Sequence, residues 1–364
     1  MKECCLVQEL FRSIVHYNRP NDSKMRLISA GICILVVNIT GYLLNNYTIN
    51  ALGSLGVFTF LHYSPAEKNR IMKRLVFVGI CIIISHLLGM ISTLSIWLPP
   101  LMIGFIAFTS RLLFRLFKID KPGDIFAILV AAVGSTNPIP LKEIPTMSLY
   151  VIFGVVLSII MGYITLKVEG MPKQSLGFNP NIRSRIENDP RVMVDSFYYA
   201  GALFFASYIN IALGMDSYSW VVVSCSAILQ GNTLLQILSR NFQRIIGTIG
   251  GLLTAVLLLS IPMSALTKIT IVVIFYMIVE YYMPRNYSIG IFFVTNMVLL
   301  QMTISAPHIW PELLKARLLG IVVGSVLGVL AAWLQYQFYH FYSQAVINER
   351  TYDEDLFSYE DEEN

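Results

Sequence analysis

Ile71-Met72-Lys73-Arg74-Leu75-Val76-Phe77-Val78-Gly79-Ile80-Cys81-Ile82-Ile83-Ile84-Ser85-His86-Leu87-Leu88-Gly89-Met90-Ile91 carries its only two charges in its first turn. A helix rises 1.5 Å per residue, so about 20 mostly apolar residues cross a hydrocarbon layer of about 30 Å. A helix that is apolar all round has no solvent-facing side, which suits lipid and does not suit water. The whole chain agrees with this segment. Of its 364 residues 55% are hydrophobic and 13% charged, against about 25% charged in a soluble domain.

Working outward from 71–91, comparable runs lie at 27–44, 47–61, 94–110, 124–137 and 146–166. A polar stretch follows, and then runs at 194–213, 218–231, 242–260, 264–282, 287–303 and 313–338. The reading is an all-α polytopic membrane protein with about twelve transmembrane helices. Its expected parts are a cytoplasmic segment 1–26, a six-helix unit 27–166, a cytoplasmic linker 167–193, a second six-helix unit 194–340 and an acidic tail 341–364. Glu349 to Asn364 holds eight acids against one Arg, which predicts a solvated, disordered tail.

Basic residues give the orientation. With the N-terminus inside, 22 of the 26 Lys and Arg fall on the inner side, and only Lys142, Lys268, Lys315 and Arg317 fall outside. Cytoplasmic loops carry such an excess, so both termini are expected in the cytoplasm of a bacterial cell, the chain lying in its plasma membrane. The halves also match at a constant offset of 170: Ala30-Gly31 with Ala200-Gly201, Arg70 with Arg240, Arg74 with Arg244, Arg115 with Arg285, and Gly154 with Gly324. An even number of helices per half predicts two parallel repeats related by an axis along the membrane normal.

Several motifs in the second half stand in order: Tyr218-Ser219-Trp220-Val221-Val222-Val223, then Leu229-Gln230-Gly231-Asn232-Thr233. Next come Arg240-x-x-x-Arg244-x-x-Gly247-Thr248-x-x-Gly251, Arg285-Asn286-Tyr287 with Thr295, and Arg317-x-x-Gly320-x-x-x-Gly324-x-x-x-Gly328. This set, about 120 residues long, resembles the fusaric acid resistance and aromatic acid exporter family of bacterial inner-membrane proteins. The resemblance implies export of aromatic or amphipathic organic anions. Members often carry a large cytoplasmic domain, for which this chain has only the 167–193 linker and the tail.

Paired short helices mark transport sites, because interrupted backbone is tolerated at membrane depth only where it lines a cavity. The equivalent short runs 47–61 and 218–231 therefore nominate His62, Trp220, Gln230, Asn232 and Thr233 as lining of a substrate path. Arg240 and Arg244, read as lying at cytoplasmic helix ends, either draw anions inward or anchor the chain at the interface. Arg317 precedes a glycine-lined helix face, where a charge is costly unless it is paired or faces water. It either borders the path or pairs with an acid such as Glu312. Glu280 and Arg285 are candidates for ion coupling, or for a local ion pair with each other.

The sequence has no phosphate-binding Gly-x-x-x-x-Gly-Lys-Ser/Thr loop, no His-Glu-x-x-His and no Gly-x-Ser-x-Gly. Its five histidines and five cysteines lack metal-ligand or disulfide spacing. No enzymatic activity, cofactor, metal or nucleic-acid partner is expected. The expected partners are a small-molecule substrate, the bilayer and a second copy in a homo-oligomer. The expected function is a secondary transporter acting as an exporter; the alternatives are an anion channel or a scaffold of an envelope assembly.

Overall fold

The computed structural model describes residues 16–20, 23–119, 122–136, 138–170, 191–214, 219–231, 233–304, 306 and 309–362, the side chains of 66–67 and 343–362 excepted. Among the described residues there are twelve α-helices and no strand. They are α1 (Lys24–Leu43), α2 (Tyr47–Val57), α3 (Ile71–Ser92), α4 (Leu98–Leu116), α5 (Ile125–Gly134) and α6 (Ile144–Glu169). The second set is α7 (Arg191–Ala212), α8 (Trp220–Ile228), α9 (Leu234–Leu259), α10 (Ala265–Tyr282), α11 (Tyr287–Met302) and α12 (Trp310–Glu362).

Local chemistry sets several of the starts. Ser23 Oγ accepts from the backbone N–H of Met25 and Arg26, and Asn46, Thr233, Ser264 and Asn286 cap α2, α9, α10 and α11 in the same way. Each cap satisfies a backbone donor that the helix leaves open.

Eight helices are long and apolar enough to cross a membrane: α1, α3 with its preceding turn, α4, α6, α7, α9, α10 and the first 33 residues of α12. The other four are not. At 1.5 Å per residue, the 11, 10, 9 and 16 residues of α2, α5, α8 and α11 cover only about 17, 15, 14 and 24 Å. The twelve helices expected are thus present among the described residues, eight of them long enough to cross, and 47–61, 124–137 and 218–231 all contain less helix than their apolar content suggests. In the first of these, the helix ends at Val57 and passes through a turn into a short 3-10 segment, Phe60–His62.

Two helices instead begin or end in more polar sequence than hydropathy allows. α9 starts at Leu234, not 242, which places Arg240 and Arg244 two and three turns inside it. α4 runs on to Leu116, which takes in Arg111 and Arg115. α12 continues as helix to Glu362, into the acidic segment. No Gly or Pro follows Gly328 in the chain, and Glu, Leu, Gln and Ala sustain a helix well.

The pairing of helices has a regular order. α2 lies on α6 and α8 on α12; α3 packs with α5 and α9 with α11; α4 seats against α7 and α10 against α1. Large apolar side chains such as Phe197, Leu253, Leu257 and Val326 are exposed on the outside, where lipid is the solvent that suits them.

The short helices sit close against their neighbours. A Cβ on Gly154 would overlap the carbonyl oxygen of Gly53, and one on Gly324 would stand 2.6 Å from that of Val221. Small residues allow such backbone approach in membranes. Gly154→Ala is therefore expected to destabilise the protein by about 1–3 kcal/mol through overpacking. Gly201→Ala, where a Cβ meets nothing within 4 Å, should leave the melting temperature unchanged or raise it. Equal melting of the two variants in detergent would contradict the tight contact.

Candidate functional site

The four helices too short to cross converge on one cavity of about 210 Å³. Its walls include Leu55 of α2, Val133 of α5, Trp220 of α8 and Val298 of α11, closed by Ile34 of α1 and Tyr276 of α10. The lining is largely apolar. Three of its side chains nevertheless keep a buried polar atom with no hydrogen-bond partner among the described residues: Tyr276 Oη, Gln301 Oε1 and Trp220 Nε1. Gln301 is held by its other end, donating Nε2 to Asn38 Oδ1 at 3.0 Å. A cavity of about 150 Å³ suffices for benzene, so this one has room for a small aromatic molecule.

Next to the cavity, α8, α9, α11 and α12 bring together the motif residues of the second half. Arg244 donates Nη1 to the Tyr287 hydroxyl at 3.2 Å and Nη2 to Ser224 Oγ at 3.4 Å. Arg240 donates Nε to the Ala227 carbonyl at 3.3 Å and lies 4.4 Å over the Tyr287 ring. Arg317 lies 4.2 Å over the Trp220 ring. Gly320 and Gly324 bring α12 against Trp220 and Ser224. Asn286 caps α11 by accepting from Ile289 N at 3.1 Å, which holds Tyr287 at the first turn, within reach of both arginines. Positions far apart in sequence thus become one place in space.

A second polar cluster joins the two halves. Arg111 of α4 donates to Asp124 at 3.0 Å, to Gln230 Oε1 at 3.1 Å and to the Leu229 carbonyl at 2.9 Å. Its guanidinium lies 4.4 Å over the Tyr199 ring, and the Tyr199 hydroxyl shares a hydrogen bond with Ser226 Oγ at 2.7 Å. Two further ion pairs bridge the halves: Arg26 of α1 with Glu280 of α10 at 2.6 Å, and Arg115 of α4 with Asp195 of α7. Asp195 also accepts from Gln335 and Tyr339 of α12.

The nominated residues therefore separate. Trp220 lines the cavity, and Arg240, Arg244 and Arg317 surround the site beside it. Gln230 belongs to the Arg111 cluster. His62 is fully buried, with Nε2 2.9 Å from the Gly123 carbonyl and its ring edge-on to Phe114 and Phe126, and it is not part of the cavity wall. Thr233 is spent on capping, its Oγ1 accepting from Gln236 N at 3.2 Å. Asn232 lies outside the described residues.

Two pairings change. Glu312 is exposed and Arg317 meets an aromatic face. Glu280 pairs with Arg26, while Arg285 donates to the Tyr281 carbonyl and stacks on its ring at 3.9 Å. Sequence reasoning missed Arg111, Asp124, Tyr199, Arg115, Asp195 and Arg26. An Asp opening an apolar run was a readable signal for Asp124. Among the described residues, no three His, Cys, Asp or Glu side chains are grouped as metal ligands would be.

Comparison with known proteins bears on the same region. Residues 201–331 match a family described as fusaric acid resistance protein-like. The chain is also similar to a protein named uncharacterized membrane protein YvaC from Bacillus subtilis (strain 168). The two are 25% identical over 191 residues, which is 52% of this chain and 30% of that protein. The aligned part of the chain thus spans less than a third of that relative's length. No solved structure matches.

Proposed function

We propose, from the premise that residues 201–331 belong to the fusaric acid resistance protein-like family, that this chain is a secondary transporter of small organic anions and works as an exporter. The observation that carries the reading is the convergence of all four short helices on one cavity between the halves. Short or broken helices at a repeat interface are how membrane transporters expose polar groups to a substrate at mid-depth. A purely structural bundle gains nothing from them, since each interruption leaves backbone groups to be satisfied in a medium without water.

The substrate class follows from charge and shape. The cavity is apolar and of single-ring size, and the cluster beside it holds three arginines. An aromatic or amphipathic anion complements both. The recurring helix pairs, α2 on α6 and α8 on α12 above all, support two parallel six-helix repeats, whose rocking about the cavity would open it to either side. The basic residues support both termini on the cytoplasmic side of a bacterial plasma membrane.

The test is accumulation of labelled aromatic carboxylates in cells that make the protein and in cells that do not. Export predicts lower accumulation of at least one compound in the former. Equal accumulation across the panel, with the protein confirmed in the membrane, would sink the transporter reading in favour of a scaffold.

A further inference from the structure

Arg244 and Arg317 are 4% and 3% exposed, and their guanidiniums meet α8 one turn apart, at Ser224 and at the Trp220 ring. Among the described residues neither meets a carboxylate; the partners of Arg244 are two hydroxyls, and that of Arg317 is a ring face. Among the described residues the Nε of each guanidinium has no hydrogen-bond partner, and neither does Trp220 Nε1, Thr248 Oγ1 or Ser325 Oγ. Thr248 follows Arg244 by one turn of α9, and Ser325 adjoins the glycine that seats α12 on α8. Every one of these atoms can donate. A buried cation without counter-charge is unfavourable in any protein and more so at membrane depth. Two such cations one turn apart along α8, with unpartnered donors on the same three helices, are the complement of one anion.

Snorkelling does not account for them, because a snorkelling Arg keeps its head in water and both of these heads are enclosed. Inorganic ions are poor candidates, since Trp220 is shared between this cluster and an apolar cavity. The ligand that fits both has an oxyanion joined to an apolar body.

We infer that Arg244 and Arg317, with the Trp220 indole N–H, bind one carboxylate per chain, the apolar part of the same molecule lying in the cavity that Trp220 lines. The inference rests on the transporter reading only for the nature of that apolar part. The site occurs once: at the offset of 170, Arg74 matches Arg244, but Met147 stands for Arg317 and Phe117 for Tyr287.

The test uses the purified full chain in detergent without anionic lipid, with labelled benzoate in equilibrium binding and thermal unfolding in parallel. One benzoate per chain is expected. Arg317→Gln should weaken binding at least about tenfold, the loss of one charge-assisted hydrogen bond. Arg317→Lys should recover part of it, keeping the charge without the planar fork. Without ligand, Arg317→Gln should melt no lower than the native protein, since it removes an uncompensated buried charge. Arg244→Gln carries the same expectation for binding and decides the matter if Arg317→Gln fails to fold.

Three results would overturn the site: no benzoate binding by the native chain, unchanged binding in these variants, or Arg317-dependent stabilisation by phosphatidylglycerol with none by benzoate, which would assign the cluster to a lipid phosphate. Arg317-dependent binding without transport in cells would leave the site standing and remove the exporter reading. Transport without such binding would do the reverse.

Discussion

Asp124→Ala is expected to destabilise the protein by about 3–5 kcal/mol, the cost of leaving a buried charge without its partner. Asp124 is 1% exposed and is the acid that answers Arg111 where α4 and α5 of the first half meet Tyr199 and Gln230 of the second. With the carboxylate gone, the Arg111 guanidinium keeps two neutral oxygens and an aromatic face, which hold it in place but do not balance its charge. Asp124→Asn should cost less, because an amide oxygen still accepts from Nη1. Replacing both partners at once, as Arg111→Met with Asp124→Leu, should recover much of the loss, since a buried ion pair is often matched by apolar groups of similar volume. Thermal unfolding in detergent reads all three. If Asp124→Ala melts with the native protein, the cluster does not bind the halves together.

That cluster also marks the boundary of what the sequence can tell. The apolar runs were legible because lipid demands nearly continuous hydrophobicity over a helix's length, and each of the twelve helices falls on one of the runs. Their ends were legible only where apolar content stopped at the helix terminus. In α9 it did not: Gln236, Arg240 and Arg244 are polar, yet the Thr233 cap starts the helix before them, and the side chains of Arg240 and Arg244 turn inward to Tyr287, Ser224 and the end of α8. A hydropathy reading must cut such a helix short, because it assumes that polar means outside. Arg111 and Arg115 at the end of α4 were misjudged on the same assumption.

The candidate site was legible as a set of residue types and not as a place. Arg240, Arg244, Tyr287 and Arg317 stood out as motif positions, and their assembly depends on contacts such as Gly324 against Val221 that a single sequence does not reveal. His62 and Thr233 were drawn in by their position at the ends of short runs. One packs between phenylalanines and the other caps a helix, ordinary uses that spacing cannot distinguish from lining a path. Glu280 was set against Arg285 because they are five residues apart. The partner it takes, Arg26, lies 254 positions away, on a helix that only the tertiary arrangement brings near.

Val133→Phe and Val298→Phe, one on α5 and the other on α11, are each expected to lower transport at least about tenfold while leaving the melting temperature unchanged or raised. Both valines line the cavity and both are only partly buried, so a larger apolar side chain can grow into open space without forcing packed neighbours apart. In a filled core the same substitution would cost about 1–3 kcal/mol. Filling an apolar void restores contacts that its lining lacks, so stability and transport are predicted to move apart. That divergence separates a path from a packing defect. A void that matters only structurally would give better stability with transport intact, and a void already occupied by tightly packed lipid would give overpacking and lower melting. Measured in the same cells with the same aromatic carboxylate, Phe at either position should also leave binding at Arg317 weakened, because the ring of the ligand and the ring of the new side chain compete for one space. Should transport persist in both variants, the four short helices frame something other than the route of the substrate.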